Sequence, residues 1–206
     1  MNIEPDSSKP LIFFILGGPG AGKGTLCGQM VKELGFHHFS TGDILRRELE
    51  ENPDSVFSTS IRNHISEGKL VSSELLLSLL TEKIKKLNEN NVKILLDGFP
   101  RNKENLDVWK DMELDMEFEV KVSIFLDCSL ETMESNILER AKTSGRSDDN
   151  METIKKRIIV FETQTKPLLE IFEKEDKIIR VDAEKSPEHI FQEVKEQFKE
   201  RKIIMA

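Results

Sequence analysis

Apolar residues fall along this chain in two kinds of run. Four stretches are short and almost unbroken: Leu11–Leu16, Val92–Leu96, Val120–Leu126 and Lys177–Val181. Runs of that length, ended by glycine or polar residues, read as strands buried on both faces. Elsewhere apolar positions recur every three or four residues. Leu26, Met30, Val31 and Leu34 stop at Gly35, and Leu75, Leu76, Leu79, Leu80, Ile84 and Leu87 form a second set. From Pro187 to Lys202, Ile190, Phe191, Val194 and Phe198 mark a covering helix with one charged face. Strands alternating with helices predict an α/β fold with a parallel sheet joined by right-handed crossovers.

The interval from Phe36 to Asn91 is too long for one crossover helix. It offers a brief strand at Phe36–Phe39 and a helix that opens near Ser40 or Thr41 and stops before Pro53. A second helix ends near Gly68, and a third starts near Ser72. A helical insert is therefore expected at about residues 40–70. Thr143–Asn150 is rich in Ser, Gly and Asp and lies between two long helical patterns, which predicts a short mobile lid at about 141–151. Residues 1–10, with Pro5, Ser7, Ser8 and Pro10, read as a flexible leader before a single domain over 11–206.

Charge narrows the choice of partners. The chain of 206 residues carries 30 Lys+Arg against 38 Asp+Glu, a net −8, which disfavours tracking along a nucleic-acid backbone. An anionic ligand then needs a locally positive site. Cys27 and Cys128 form no zinc-binding pattern, and His37, His38, His64 and His189 lack metal-ligand spacing, so they read as structural or solvated. Leu11–Leu16 is far shorter than the ~20 residues that span a bilayer, and no basic segment with a cleavage site precedes it. A cytoplasmic protein without membrane contact is expected, with nuclear entry left open.

The segment with the clearest chemistry is Gly17-Gly18-Pro19-Gly20-Ala21-Gly22-Lys23-Gly24-Thr25, set between a buried strand and an amphipathic helix. Glycines let successive backbone N–H groups turn toward one anion, and the helix N-terminus adds partial positive charge. Lys23 supplies an ammonium for β/γ-phosphates, and the Thr25 hydroxyl is a Mg²⁺ ligand candidate. Asp97 ends the strand Ile94-Leu95-Leu96 where open α/β sheets bind ligands, and it is assigned to Mg²⁺, directly or through water.

Gly24 separates Lys23 from Thr25, whereas the commonest phosphate loop has Ser or Thr directly after the Lys. In this form the string resembles the loop of the nucleoside monophosphate kinases. Later blocks follow in that family's order: Ser40-Thr41-Gly42-Asp43-Ile44-Leu45-Arg46, Glu67-Gly68-Lys69-Leu70-Val71, Asp97-Gly98-Phe99-Pro100-Arg101 and Ser144-Gly145-Arg146-Ser147-Asp148-Asp149-Asn150. The similarity covers about residues 11–200. It implies a P-loop three-layer fold with a five-stranded parallel sheet, a helical acceptor-binding insert and a short lid. It also implies Mg²⁺-dependent transfer of the γ-phosphate of ATP to a nucleoside monophosphate.

By the same resemblance, Gly20, Ala21, Gly22, Lys23, Gly24 and Thr25 hold ATP, Arg140 stacks on its base, and the backbone at Lys185 touches the adenine. Arg46 and Arg101 clamp the acceptor phosphate, among Gly68, Lys69, Leu70, Gly98, Phe99, Pro100 and Asn105. Arg146 and Arg157 meet the transferring phosphates, and with Lys23 and Arg101 they form the catalytic set. Planar, permanently charged guanidinium groups suit that work. Asp148 and Asp149 either order the lid or are surface acids.

Asn105, four residues after Arg101 and followed by Leu106 and Trp109, resembles the branch of the family that takes UMP and CMP, and dCMP with them. A carboxamide that turns over can serve uracil and cytosine, whose exocyclic groups exchange donor and acceptor roles. Thr41 is closer to the adenylate kinase pattern and keeps AMP as the alternative acceptor. The expected partners are small nucleotides only, with the chain a monomer.

Overall fold

A computed structural model describes residues 9–87, 91–145 and 150–203. The sheet order is β2-β3-β1-β4-β5, from β1 (Leu11–Gly17), β2 (His37–Ser40), β3 (Lys93–Asp97), β4 (Glu119–Asp127) and β5 (Ile178–Asp182), with every neighbour parallel. β1 is the central strand. Phe13 and Ile15 point to one face with Leu95, Ile124 and Val181, under α1 (Lys23–Leu34) and α10 (Pro187–Glu200). Ile12, Phe14 and Leu16 point to the other with Ile94, Leu96 and Phe125, under α4 (Ser73–Lys85), α5 (Lys103–Asp111) and α9 (Leu169–Lys174). Cover on both faces is why β1, β3 and β4 carry unbroken buried runs, while β5, at the edge, alternates with Arg180 and Asp182 exposed.

The insert is helical as expected, with α2 (Thr41–Glu51) and α3 (Val56–Glu67) leading into α4. After β3 come α5 and the short α6 (Leu114–Glu117). After β4 come α7 (Leu130–Ser144) and α8 (Met151–Val160), which enclose a small core of Ile137, Ile154 and Ile158. α8 widens into a π-turn at Phe161–Thr165 before Lys166-Pro167 redirects the chain.

Helix starts follow the side-chain chemistry. Ser40, Ser55, Ser72, Asn102, Ser129, Asn150 and Ser186 cap α2, α3, α4, α5, α7, α8 and α10, each accepting from a backbone N–H in the first turn. α1 differs. It starts at Gly22 with no side-chain cap and no acidic residue in its first turn, leaving the positive helix end for a ligand. Arg146, Asp148, Asp149 and most of the leader lie outside the described residues. Among those described, no helix is long and apolar enough to cross a membrane.

Candidate active site

The carboxyl ends of β1 and β3 open onto a cavity of about 850 Å³ between α1, the insert and α7. Its lining includes seven Lys and Arg residues against four Asp and Glu residues. A chain of net −8 thus collects positive charge at one place. Gly20, Ala21, Gly22, Gly24 and Thr25 form the floor, with Lys23 rising from the first turn of α1. The Lys23 ammonium donates to the carbonyls of Gly17 at 2.8 Å and Gly18 at 2.7 Å. Burial lowers its pKa to about 8, against the opposing pull of Asp97.

Asp97 ends β3 beside it. Burial raises the carboxyl, but the hydrogen bond from His38 and the charges of Lys23, His38 and Arg101 outweigh this and hold it below the usual aspartate value. His38 Nε2 lies 3.3 Å from Asp97 Oδ2. Sequence reading gave His38 no site role, yet it lines the cavity; its partner is 59 residues away and shares no motif with it. Cys27, His38 and Asp97 bring their ligand atoms within 4.8 Å of one another. Burial keeps the Cys27 thiol protonated, well above its ordinary pKa, which leaves the Asp97 carboxylate and the His38 imidazole as the donors of that cluster.

Arg101 is fixed on every side. Its Nε donates to Gly98 O at 2.8 Å and its Nη2 to Thr41 Oγ1 at 3.2 Å. Its backbone N–H donates to Asn105 Oδ1 at 2.8 Å, and its carbonyl accepts from Thr165 Oγ1 at 2.6 Å. Gly98 makes this possible: at φ +76° it has no side chain, and a Cβ there would stand 2.8 Å from Arg101 Nη2 and 3.0 Å from Thr41 Oγ1. Thr165 carries no sequence motif of its own. The π-turn aims its hydroxyl away from its own helix, whereas Thr163 Oγ1 donates back to Ile159 O.

The other expected residues divide. Arg46, paired with Asp43 at 2.6 Å, and Arg140 and Arg157 line the same cavity, as do Gly68, Lys69, Leu70 and Asn105. Gly98 and Pro100 line a 60 Å³ pocket adjoining it. The Phe99 ring is fully buried 5.6 Å from that of Phe14, so its side chain belongs to the core rather than the cavity. Lys185 also lines the cavity, and its Nζ donates to Glu193 at 3.0 Å. Glu184, unremarked in the sequence, accepts from Ser129 N and Thr132 Oγ1, both at 2.6 Å, and ties that loop to the start of α7.

Asn105 corrects the expectation of a carboxamide that turns over. It is 2% exposed, and its oxygen faces a backbone N–H, which only donates. Turning it over would set donor against donor. Across the cleft, Thr153 Oγ1 on α8 donates to Ser66 O on α3 at 3.1 Å, joining the insert to the helix that carries Arg157.

Known proteins resemble this chain over most of its length. Residues 15–177 match the family model described as adenylate kinase. The UMP-CMP kinase of Danio rerio is 43% identical over 190 residues, covering 91% of this chain and 96% of that one. That of Homo sapiens is 43% identical over 189 residues, with 90% and 95% covered. For Xenopus laevis the identity is 43% over 193 residues, with 92% and 99% covered.

Proposed function

The chain belongs to the adenylate kinase family, and from that premise we propose that it transfers the γ-phosphoryl group of ATP to UMP or CMP, dCMP included, giving ADP and a nucleoside diphosphate. The observation that carries the reading is one cavity lined by the glycine-rich loop, Lys23, Arg46, Arg101, Arg140 and Arg157, with an amide, Asn105, in its wall. The acceptor class rests on relatives that are UMP-CMP kinases over nearly their whole length.

Phosphoryl transfer asks for little covalent chemistry from a protein; alignment and charge neutralisation dominate. The ATP phosphates lie along the amides of Gly20 to Thr25, and Lys23 exchanges its Gly17 and Gly18 carbonyls for phosphate oxygens. Arg46 and Arg101 hold the acceptor phosphate. Arg157, with Arg146 from the lid, meets the charge spread over the group in transit. Arg140 and the backbone at Lys185 hold the donor base. Closure of the insert, about residues 40–70, and the lid, about 141–151, excludes water that would otherwise accept the phosphoryl group.

Mg²⁺ fits the donors present. The Thr25 hydroxyl and the ionised Asp97 are oxygen ligands in the cavity, the set this ion prefers while keeping waters. Held there, directly or through water, it supplies neutralisation of the β- and γ-phosphates.

The test is a panel of AMP, CMP, dCMP and UMP with ATP and Mg²⁺, read as diphosphate formed. UMP or CMP should be the best acceptor. AMP as the best acceptor would overturn the base assignment and leave phosphoryl transfer standing; no diphosphate from any acceptor would overturn both.

A further inference from the structure

β4 and β5 end level with each other, Asp127 beside Asp182, and the chain leaves each strand by a different path. From β4 it enters α7, whose Asn136, Arg140 and Thr143 line the cavity. From β5 it enters a short loop, residues 183–186, and then α10; Ala183, Pro187 and Ile190 line the same cavity from this side. The two exits bound a slot with a polar wall on α7 and an apolar wall at the start of α10. Two residues beyond each strand its root is tied shut. The Glu184 carboxylate accepts from the Ser129 N–H and from the Thr132 hydroxyl, both at 2.6 Å. Ser129 Oγ in turn donates to Thr132 Oγ1 at 3.0 Å and accepts from the Thr132 N–H at 3.1 Å, so Glu184 is bonded into the cap of α7 from the other exit.

The loop has other anchors, but they hold it to the strand ends and to α10. The Ala183 N–H donates to Asp127 O at 2.8 Å, the Glu184 N–H to Asp182 Oδ1 at 3.0 Å, and Lys185 Nζ to Glu193 at 3.0 Å. The Glu184 carboxylate is the anchor that reaches α7. Its bonds, that from the Ser129 N–H foremost, hold its carboxyl below the ordinary glutamate value, so the tie persists through neutral pH. We propose that Glu184 is a positioning residue for the donor nucleotide: by tying the loop 183–186 to the first turn of α7, it fixes the width of the slot that receives the ATP base. The inference rests on the donor reading above, in which Arg140 and the backbone at Lys185 hold that base. A slot already held at one width need not be ordered when the base enters, whereas an untied loop must be fixed at that moment, which lowers affinity. α7 itself stays seated on the phosphate loop through Asn136 Nδ2, which donates to Gly20 O at 2.9 Å. Loss of the tie therefore frees the loop and leaves the phosphate site in place.

Two substitutions and two ligands isolate the effect. Glu184→Ala removes the tie. Glu184→Gln keeps it in neutral form, since the glutamine oxygen accepts from the Ser129 N–H while its amide donates to Thr132 Oγ1. Calorimetry gives Kd for ATP and for inorganic tripolyphosphate, both with Mg²⁺, and KM for UMP and CMP and the melting temperature are measured alongside. Tripolyphosphate presents a chain of three phosphates without a base. Glu184→Ala should raise Kd for ATP about three- to tenfold, the scale of one net hydrogen bond, and leave Kd for tripolyphosphate and KM for the acceptor unchanged. Glu184→Gln should bind ATP much as wild type does. General loosening of the fold would weaken both ligands together.

An unchanged Kd for ATP in Glu184→Ala overturns the proposal. So does an equal loss for ATP and tripolyphosphate, which would put the defect at the phosphate loop, and so does a Glu184→Gln protein as weak as Glu184→Ala, which would make charge rather than the tie the cause. If wild type binds ATP no more tightly than tripolyphosphate, the base is not held in this slot, and the donor reading falls together with this inference.

Discussion

Replacing Gly20 by Ala puts a methyl group where the phosphate loop meets α7. Gly20 has φ +83°, and a Cβ there would stand 2.4 Å from Met133 O and 2.9 Å from Ile137 Cγ1. The left-handed backbone costs an L-residue about 1–2 kcal/mol, and overpacking against a backbone atom that cannot rotate away adds about 1–3 kcal/mol. Together they give about 2–5 kcal/mol, or about 4–20 °C in melting temperature for a chain of this size. Gly28→Ala is the control: Gly28 is exposed in α1, its Cβ would meet nothing within 4 Å, and removing a helical glycine stabilises by about 0.5–1 kcal/mol. Thermal unfolding followed by circular dichroism reads both. ATP at about 100 times its Kd should stabilise wild type by about 2.7 kcal/mol. Gly20→Ala should gain less, because the displaced α7 carries Arg140 and Asn136, whose Nδ2 donates to Gly20 O at 2.9 Å. A Gly20→Ala protein that melts with wild type would refute the close approach of loop and helix.

Lys23 should make nucleotide binding pH-dependent. Burial holds it at about 8 in the empty protein, against about 10.4 unfolded. The unfolded chain therefore binds this proton more tightly, and the group's contribution to stability improves as pH rises from about 8 to 10.4. Phosphate charge favours the ammonium, so ATP binding should take up a proton above about pH 8 and weaken there; calorimetry in buffers of differing ionisation enthalpy checks this, and a Kd flat from below pH 8 to well above it contradicts it. Thr165→Val removes the hydroxyl that holds the Arg101 carbonyl, and leaving that group unpaired costs about 1–3 kcal/mol. KM for the acceptor should rise while KM for ATP holds, and Thr165→Ser should restore it. Burial raises both thiols, Cys27 well above its ordinary value and Cys128 to about 11, so a thiol reagent at neutral pH should label the native protein slowly and the denatured protein at both sites.

Much of the frame was legible because it is local. The four apolar runs mark β1, β3, β4 and β5, the brief Phe36–Phe39 stretch marks β2, and Ser40, Gly68 and Ser72 mark helix ends in and just after the insert. The phosphate loop and the arginines were readable as ordered blocks, and the cavity gathers those that are described. Contacts at long sequence separation left no such trace. His38 meets Asp97 across 59 residues and Thr165 meets Arg101 across 64. Ser73 meets Asn105 across 32, and the same network gives the carboxamide a direction that composition could not reveal. Phe99 shows the opposite case: it sits inside a motif, yet its ring completes an aromatic cluster with Phe14 and Trp109.

The middle position of β1 has a dynamic consequence. Bonded to a neighbour along each edge and sheltered above and below, this strand sits where local opening is most costly, and the glycine loop hangs directly from its end. Breathing is thereby pushed toward the periphery. Nucleotides can come and go through excursions of outlying helices while the loop amides proposed to receive phosphate stay at rest, ready for the next turnover without being rebuilt.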